Sequence, residues 1–349
     1  MKICLGVAAF FLCLPLFSPA AWAQLAPSPD APPVSNAPAA PDDDQSVATF
    51  KLQVSLVDLF FTVKDKNGNL VPHLTKDDCT IEEDKQPQTL KSFVAETNMP
   101  LTLGVLLDTS GSQQRVLPLE QDAGARFLEQ VLRKKDEAFL LSFDVNIDLL
   151  QDFTNDSRQL SRAMSKAEIN TAGGNGAAGI PGAGGGTVPV YGTPKGTLLY
   201  DAIYETATRK LNQESGRKAM IILTDGDDQG SRTRINEAVA AAQKSNAMIY
   251  VILIADTGFY GGFGYNGYSA AKKLSDESGG RLINVGNNGK KLEDAFQQIE
   301  DELRTQYVAT YTPSNTKQDG TFRHVSVSCR GDGLKVQVRK GYFAPSPQN

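Results

Sequence analysis

The stretch LGVLLDTSGSQQ, Leu103 to Gln114, decides how the rest of the chain is read. Its apolar half, extended upstream as LTLGVLL, is a continuous run of the kind found in strands buried on both faces of a parallel sheet. The run stops at a carboxylate, and hydroxyls follow at alternate positions: Asp108, Ser110, Ser112. Open α/β sheets bind ligands outside the carboxyl ends of their strands, so this ending marks a candidate site. Gly111 is expected to permit the tight loop between the two serines.

Outward from that strand the pattern alternates. EAFLLSF (137–143), KAMIILTD (218–225), MIYVILIAD (248–256) and RLINV (281–285) read as buried strands, and IDLLQDF (147–153) as an edge strand. Between them, segments 119–134, 157–169, 198–213, 234–246, 270–279 and 291–306 have helical spacing. Regular alternation of this kind predicts a doubly wound, mostly parallel α/β sheet with helices on both faces, spanning residues 100–304. The flanks differ. Residues 49–98 and 305–345 carry short alternating strands with Asn-Gly and Asp-Gly turn signals. Neither flank holds enough strands to be stable alone, so the two are expected to pair into one small β-sandwich with the α/β unit inserted between them.

The N-terminus reads as a targeting segment. Lys2 precedes the apolar run ICLGVAAFFLCLPLF, and AAWA offers small residues Ala21 and Ala23 for cleavage, giving a signal peptide over 1–23. The run is too short to span a bilayer and is broken by Pro15, so no stable membrane insertion is expected after cleavage. Phe11 and Leu12 before Cys13 do not form a lipoprotein acceptor site. Residues 24–48 are rich in Pro and Ala and read as an extended, disordered linker. The expected localisation is secreted or periplasmic.

Composition narrows the function classes. The 349 residues are 40% hydrophobic and 21% charged, with a net charge of −5. No basic stripe interleaved with aromatics appears, which argues against a nucleic-acid partner. Cys4 and Cys13 leave with the signal, so Cys79 and Cys329 remain, and both fall in inward register of their strands. An exported protein with two such cysteines is expected to join them in a disulfide across the sandwich, the alternative being two buried free thiols. Only two histidines occur, His73 and His324, both in the flanks. A Ser/His/Asp arrangement is therefore hard to build, and two-metal hydrolysis would need more carboxylates, so no enzyme is expected.

Three segments are expected to converge on one sheet edge. Asp108, Ser110 and Ser112 follow the first strand, Thr197 opens a helix after Gly196, and Asp225 ends the strand AMIILTD. Two carboxylates and three hydroxyls form an oxygen-only set suited to a hard divalent cation, Mg²⁺ first, then Mn²⁺ or Ca²⁺. Taken singly, each of these residues could be a helix N-cap or a turn residue. Asp227, Asp228 and Asp256 read as solvated loop charge, and Asp201 as structural. Two glycine-rich inserts, 171–197 and 257–269, lack the context of a phosphate-binding loop. The second reads as a rim around the site, with Tyr260, Tyr265 and Tyr268 as partner contacts.

The order DTSGS, GTLLYDAI, LTDG resembles the metal-ion-dependent adhesion site of the von Willebrand factor A (VWA) domain, over about Pro100 to Arg304. The resemblance implies that Ser110, Ser112 and Thr197 coordinate the ion, and that Asp108 and Asp225 bind it directly or through water. An Asp or Glu of a protein partner would complete the shell. The departure from the pattern is the glycine-rich insert before Thr197. The flanks, LVDLFFTVKDKNGNLVPHLTKDDCTIEEDKQPQTLKSF and DGTFRHVSVSCR with VRKGYFAP, resemble an exported VWA-domain group known mainly from Acidobacteria-type genomes. The expected function is metal-dependent, adhesion-type protein binding. The alternative is an envelope scaffold or assembly protein whose ion is mainly structural.

Overall fold

The computed structural model describes residues 56–96, 99–170, 196–254 and 267–346. The expected signal and linker, most of both glycine-rich inserts, Tyr260, Tyr265 and Asp256 lie outside the described residues.

The N-terminal flank forms β1 (Val57–Lys64), β2 (Cys79–Glu83), β3 (Gln86–Gln88) and β4 (Leu90–Glu96). The central segment contributes β5 (Leu101–Asp108), β6 (Glu137–Phe143), β7 (Ile147–Thr154), β8 (Arg217–Thr224), β9 (Ala247–Leu253) and β10 (Leu282–Asn284). Its helices are α1 (Leu117–Val131), α2 (Ser157–Met164), α3 (Leu199–Glu205), α4 (Ile235–Lys244), α5 (Gly267–Ser278) and α6 (Gly289–Arg304). The chain closes with β11 (Gln306–Tyr311), β12 (Phe322–Cys329), β13 (Lys335–Val338) and β14 (Gly341–Phe343).

The central sheet has the order β10-β9-β8-β5-β6-β7, parallel except for the edge strand β7, which runs antiparallel to β6. Every residue of β5, β8 and β9 is buried, as the long apolar runs within them require. Side chains of α1, α2 and α6 form the core on one face, and those of α3, α4 and α5 the core on the other. The architecture is thus a doubly wound α/β sheet flanked by antiparallel sheets. Among the described residues no helix is long and apolar enough to cross a membrane.

Two helices differ from their sequence expectation. The segment read as one helix over 198–213 is α3 followed by a π-helical turn, Thr206–Leu211. The Thr208 hydroxyl donates to the Tyr204 carbonyl at 2.7 Å, and such back-bonding disturbs the regular ladder. α2 stops at Met164, where the Ser165 hydroxyl donates to the Arg162 carbonyl at 3.0 Å.

Strands of both flanks interleave in two antiparallel sheets, β13-β1-β11-β4 and β14-β12-β2-β3. Leu59, Phe61, Ile81, Tyr307, Val325 and Tyr342 share the core between them. Buried Glu83 accepts from the Tyr311 and Tyr342 hydroxyls at 2.8 Å each and faces the buried Arg323 at 3.5 Å, so four strands meet at one polar node. Cys79 and Cys329, opposite each other in the β2–β12 register, are joined in the expected disulfide.

Glu302 of α6 ties the sandwich to the α/β unit. Its buried carboxylate takes Lys64 of β1 at 2.5 Å and Arg281 at 2.8 Å, and Gln337 of β13 donates to it at 3.4 Å. Replacing Glu302 with Ala leaves both cations half-buried without their partner. We expect a loss of roughly 2–4 kcal/mol in urea unfolding, toward the lower end because the cations are partly exposed.

Candidate metal centre

β5 lies between β6 and β8 in the sheet, and the helices that follow β5 and β8 pack on opposite faces. The chain therefore leaves a crevice at the carboxyl ends of β5 and β8, the switch point where such sheets bind ligands. Asp108 is the last residue of β5, and Asp225 follows the last residue of β8. Their exposures are 0% and 1%.

Asp108 is held by its neighbours. Its Oδ1 accepts from the Ser110 backbone N–H at 3.0 Å and from the Ser110 hydroxyl at 2.5 Å. The Ser110 and Ser112 hydroxyls lie 3.0 Å apart, so the alternation read from the sequence does bring carboxylate and hydroxyls to one point. Asp108 Oδ2 accepts from the Thr224 hydroxyl at 2.6 Å, and Thr224 Oγ1 accepts from the Gly226 N–H at 2.9 Å. Thr224 thereby couples the two strand ends. Gly226 has φ +80°, and a Cβ there would stand 2.6 Å from the Gly267 carbonyl at the start of α5, so this turn requires glycine.

Thr197 is placed by backbone bonds on both sides. The next residue, Leu198, donates to the Asp144 carbonyl at 2.8 Å, and the Thr197 carbonyl accepts from Gln229 at 3.0 Å. Asp144 in turn accepts from the Thr109 hydroxyl at 2.8 Å, which anchors the segment to the Asp108 loop. Gly196 lets the strands of loop approach, since a Cβ there would meet the Gln229 carbonyl at 2.6 Å. The ordinary alternative for Thr197 was helix capping. Instead Asp228 takes the Tyr200 N–H at 3.1 Å and Ser231 takes the Asp201 N–H at 3.0 Å. Ser110 likewise makes no side-chain cap bond to the 3-10 turn Gly111–Gln113 that follows it.

Burial, and then the Asp225 carboxylate, push the Asp108 carboxyl up to about 7. Two buried carboxylates, with the Ser110 and Ser112 hydroxyls at Asp108 and Thr197 on the neighbouring loop, form an oxygen-only donor set, and a hard divalent cation matches it. Among the described residues no group of three His, Cys, Asp or Glu side chains could hold a metal on its own. The donor set here relies on hydroxyls.

No protein-family model matches the chain, and a search of curated proteins finds none similar to it. Solved structures with a similar fold include BatB, a conserved hypothetical protein from Bacteroides thetaiotaomicron. It matches at 16% identity and a TM-score of 0.42, over 58% of this chain and 99% of BatB. Proximal thread matrix protein 1 from the mussel byssus matches at 12% identity and a TM-score of 0.46, over 64% of this chain and 51% of that one. This chain thus spans about half of the mussel protein, which has also been solved with a zinc-occupied MIDAS motif. The SpRpn10 VWA domain matches at 14% identity and a TM-score of 0.38, over 57% of this chain and 95% of that domain.

Several sequence expectations change. Gly111 is not required by the loop, since its φ is not left-handed and a Cβ would stand in open space. Asp228 is not merely solvated charge: it caps α3 and accepts from the Ser231 hydroxyl at 2.6 Å. Asp201 is structural as expected, accepting from the Arg232 and Thr233 N–H groups at 3.0 and 2.8 Å. Tyr268 sits in the first turn of α5, 47% exposed, next to the Gly267 that packs on the Asp225–Gly226 turn.

Three contributors escaped the sequence reading: Thr224, Asp144 and Glu120. Thr224 and Asp144 act through partners distant in sequence and leave no local signal. Glu120 does leave one, because it lies on the buried stripe Leu117, Gly124, Phe127, Val131 of α1, where a carboxylate is out of place. Burial and then the charges of Asp108 and Asp225 hold its carboxyl well above the ordinary range.

Replacing Thr224 with Val removes the hydroxyl that joins Asp108 to Gly226. Chemical denaturation should show a loss of about 1–3 kcal/mol, with Thr224→Ser restoring most of it.

Proposed function

We propose that this chain is an exported protein-binding module with a VWA fold, in which Asp108, Ser110, Ser112, Thr197 and Asp225 hold a divalent cation, Mg²⁺ foremost. The observation that carries the reading is the pair of buried carboxylates at the sheet's switch point, with the Ser110 and Ser112 hydroxyls gathered at Asp108 to offer ligands without adding charge. The bound cation would supply an electrophilic position for an Asp or Glu carboxylate of a protein partner. The chain's own residues orient that position: Thr224 fixes the Asp108 carboxylate, and the Asp144 stitches fix the Thr197 loop. Tyr268, exposed beside the Asp225 turn, adds partner contact at the rim. The N-terminal apolar run and the disulfide support export. Binding rather than turnover is the activity proposed, and both histidines stand in the flanks, His324 on β12 and His73 in the loop between β1 and β2.

Calorimetric titration with Mg²⁺, Mn²⁺ and Ca²⁺ tests the ion. Asp108→Ala and Asp225→Ala should each abolish measurable uptake, whereas Ser112→Ala should weaken it by about 10-fold or more. A partner retained from envelope extract in Mg²⁺ should be released by EDTA and lost with Asp108→Ala. Retention that survives both EDTA and that substitution rules out the adhesion reading. If Asp108→Ala instead loses cooperative unfolding of the α/β unit, the ion is mainly structural.

A further inference from the structure

A cleft of about 550 Å³ opens between the sandwich and the α/β unit, walled by β1, β13, the end of α5 and the residues that enter β10. That volume is in the range of small-molecule sites. Arg281 immediately precedes β10, so the cleft lies at the amino ends of the parallel strands, the edge opposite Asp108 and Asp225. Five cations line it: Lys64, Lys66, Arg281, Lys335 and Lys340. The chain as a whole carries −5, so this concentration runs against its overall charge. Two carboxylates also line the cleft, and both are engaged. Asp65 accepts from the Asn67 and Asn69 N–H groups at 2.8 and 2.9 Å, and Asp276 pairs with Lys272 at 2.7 Å. Glu302 takes up Lys64 and Arg281. Lys66, Lys335 and Lys340 are exposed and form no ion pair among the described residues.

The strand register makes this arrangement unfavourable in itself. Lys64 and Lys335 stand directly opposite each other in the β1–β13 pair, where like charges destabilise a sheet. Lys66 joins them, its Cβ 3.1 Å from where a Cβ on Gly333 would stand. A local rule broken with no gain in packing is characteristic of a functional site. The cleft is also built into the fold. A Cβ on Gly279, at φ +87°, would stand 2.5 Å from the Arg339 nitrogen, so the end of α5 and the chain after β13 are in close contact.

We propose that this cleft binds a small soluble ligand carrying two or more phosphate groups, held by Lys66, Lys335 and Lys340 with Lys64 and Arg281 behind them. Lysine serves phosphate as a mobile point charge, and a cleft lined by one sign of charge concentrates the opposite ion. A phosphate monoester carries about −1.5 to −2 at neutral pH, so several lysines around one small volume suit phosphate better than single-charged carboxylates. No aromatic side chain lines the cleft among the described residues, which leaves no face on which a base could stack. Recognition therefore falls on the phosphates. The inference does not depend on the cation reading, because the two sites occupy opposite edges of the sheet.

The test is calorimetric titration of the full chain with inorganic tripolyphosphate, at low salt and in EDTA so that no divalent ion contributes. Binding should be one-to-one and should weaken as salt is added. Lys66→Ala and Lys335→Ala should each weaken it by about 10-fold or more, the scale of a lost charge-assisted hydrogen bond. Lys91→Ala removes an exposed lysine of β4, at the other edge of the same sheet, and should bind as the wild type does. Citrate should bind more weakly than tripolyphosphate. The proposal is overturned if the wild type does not bind tripolyphosphate, if Lys91→Ala weakens binding as much as Lys335→Ala, or if citrate binds equally well. Cosedimentation with phosphatidylglycerol vesicles, without binding of free tripolyphosphate, also overturns it and assigns the lysines to a lipid surface.

Discussion

The chain leaves β5 toward one face of the central sheet and β8 toward the other, and this divergence governs what can stand between the two strand ends. No helix can lie across the seam, so the seam must be closed by side chains and loops. The side chains placed there are carboxylates, and their burial requires hydrogen-bond donors from every available direction. Ser110 supplies two, Thr224 a third, and the Gly226 turn fits only because glycine allows the approach of Gly267. Each of these local features follows from the divergence of two helices. The same divergence explains why a single threonine, Thr224, can link residues 116 positions apart in the sequence.

Much of this architecture was legible in the sequence because it is written in local patterns. β5, β8 and β9 each contain a long apolar run, and the strand–helix alternation leaves few ways to arrange them. Asp108, Ser110 and Ser112 are legible as a cluster of oxygen donors because their spacing puts them on one side of a loop. The sandwich could be inferred from a deficiency, since neither flank has enough strands to stand alone. The details that escaped depend on distance in the chain. Asp144 matters through Thr109 and Leu198, and no window of sequence contains all three. The π-helical turn after α3 follows from one hydroxyl choosing a carbonyl a turn back, a choice that Thr leaves open in any helix. Glu120 was readable in principle: the stripe of α1 marks it as buried, but only the fold reveals which charges it meets.

The sandwich is stabilised differently from the central sheet. Its strands are short, its core depends on aromatic residues such as Phe61, Phe93 and Tyr307, and its polar node at Glu83 is fully bonded. A buried carboxylate satisfied by two tyrosine hydroxyls and facing an arginine specifies one arrangement of strands. At the seam of the α/β unit the Asp108 carboxylate is held instead by the hydroxyls of Ser110 and Thr224. One fold therefore buries carboxylates in two ways, against tyrosines and an arginine in the sandwich and against hydroxyls in the central sheet.

The chain passes from the sandwich into the α/β unit after Glu96 and comes back at Gln306, and these two residues face each other in the β4–β11 pair. Tension applied to the α/β unit therefore reaches the sandwich at one end of a single strand pair, and it pulls the hydrogen bonds of that pair open one at a time instead of loading them together. Such a joint is mechanically weak by itself. The load must be shared by the side-chain bridges that flank it: Glu302 with Lys64, and Arg339 with Asn246 at 2.6 Å. Resistance to pulling is shared by these contacts and by Gln337 and the Lys340 N–H, which donate to the Gly279 and Glu277 carbonyls at 3.2 Å each.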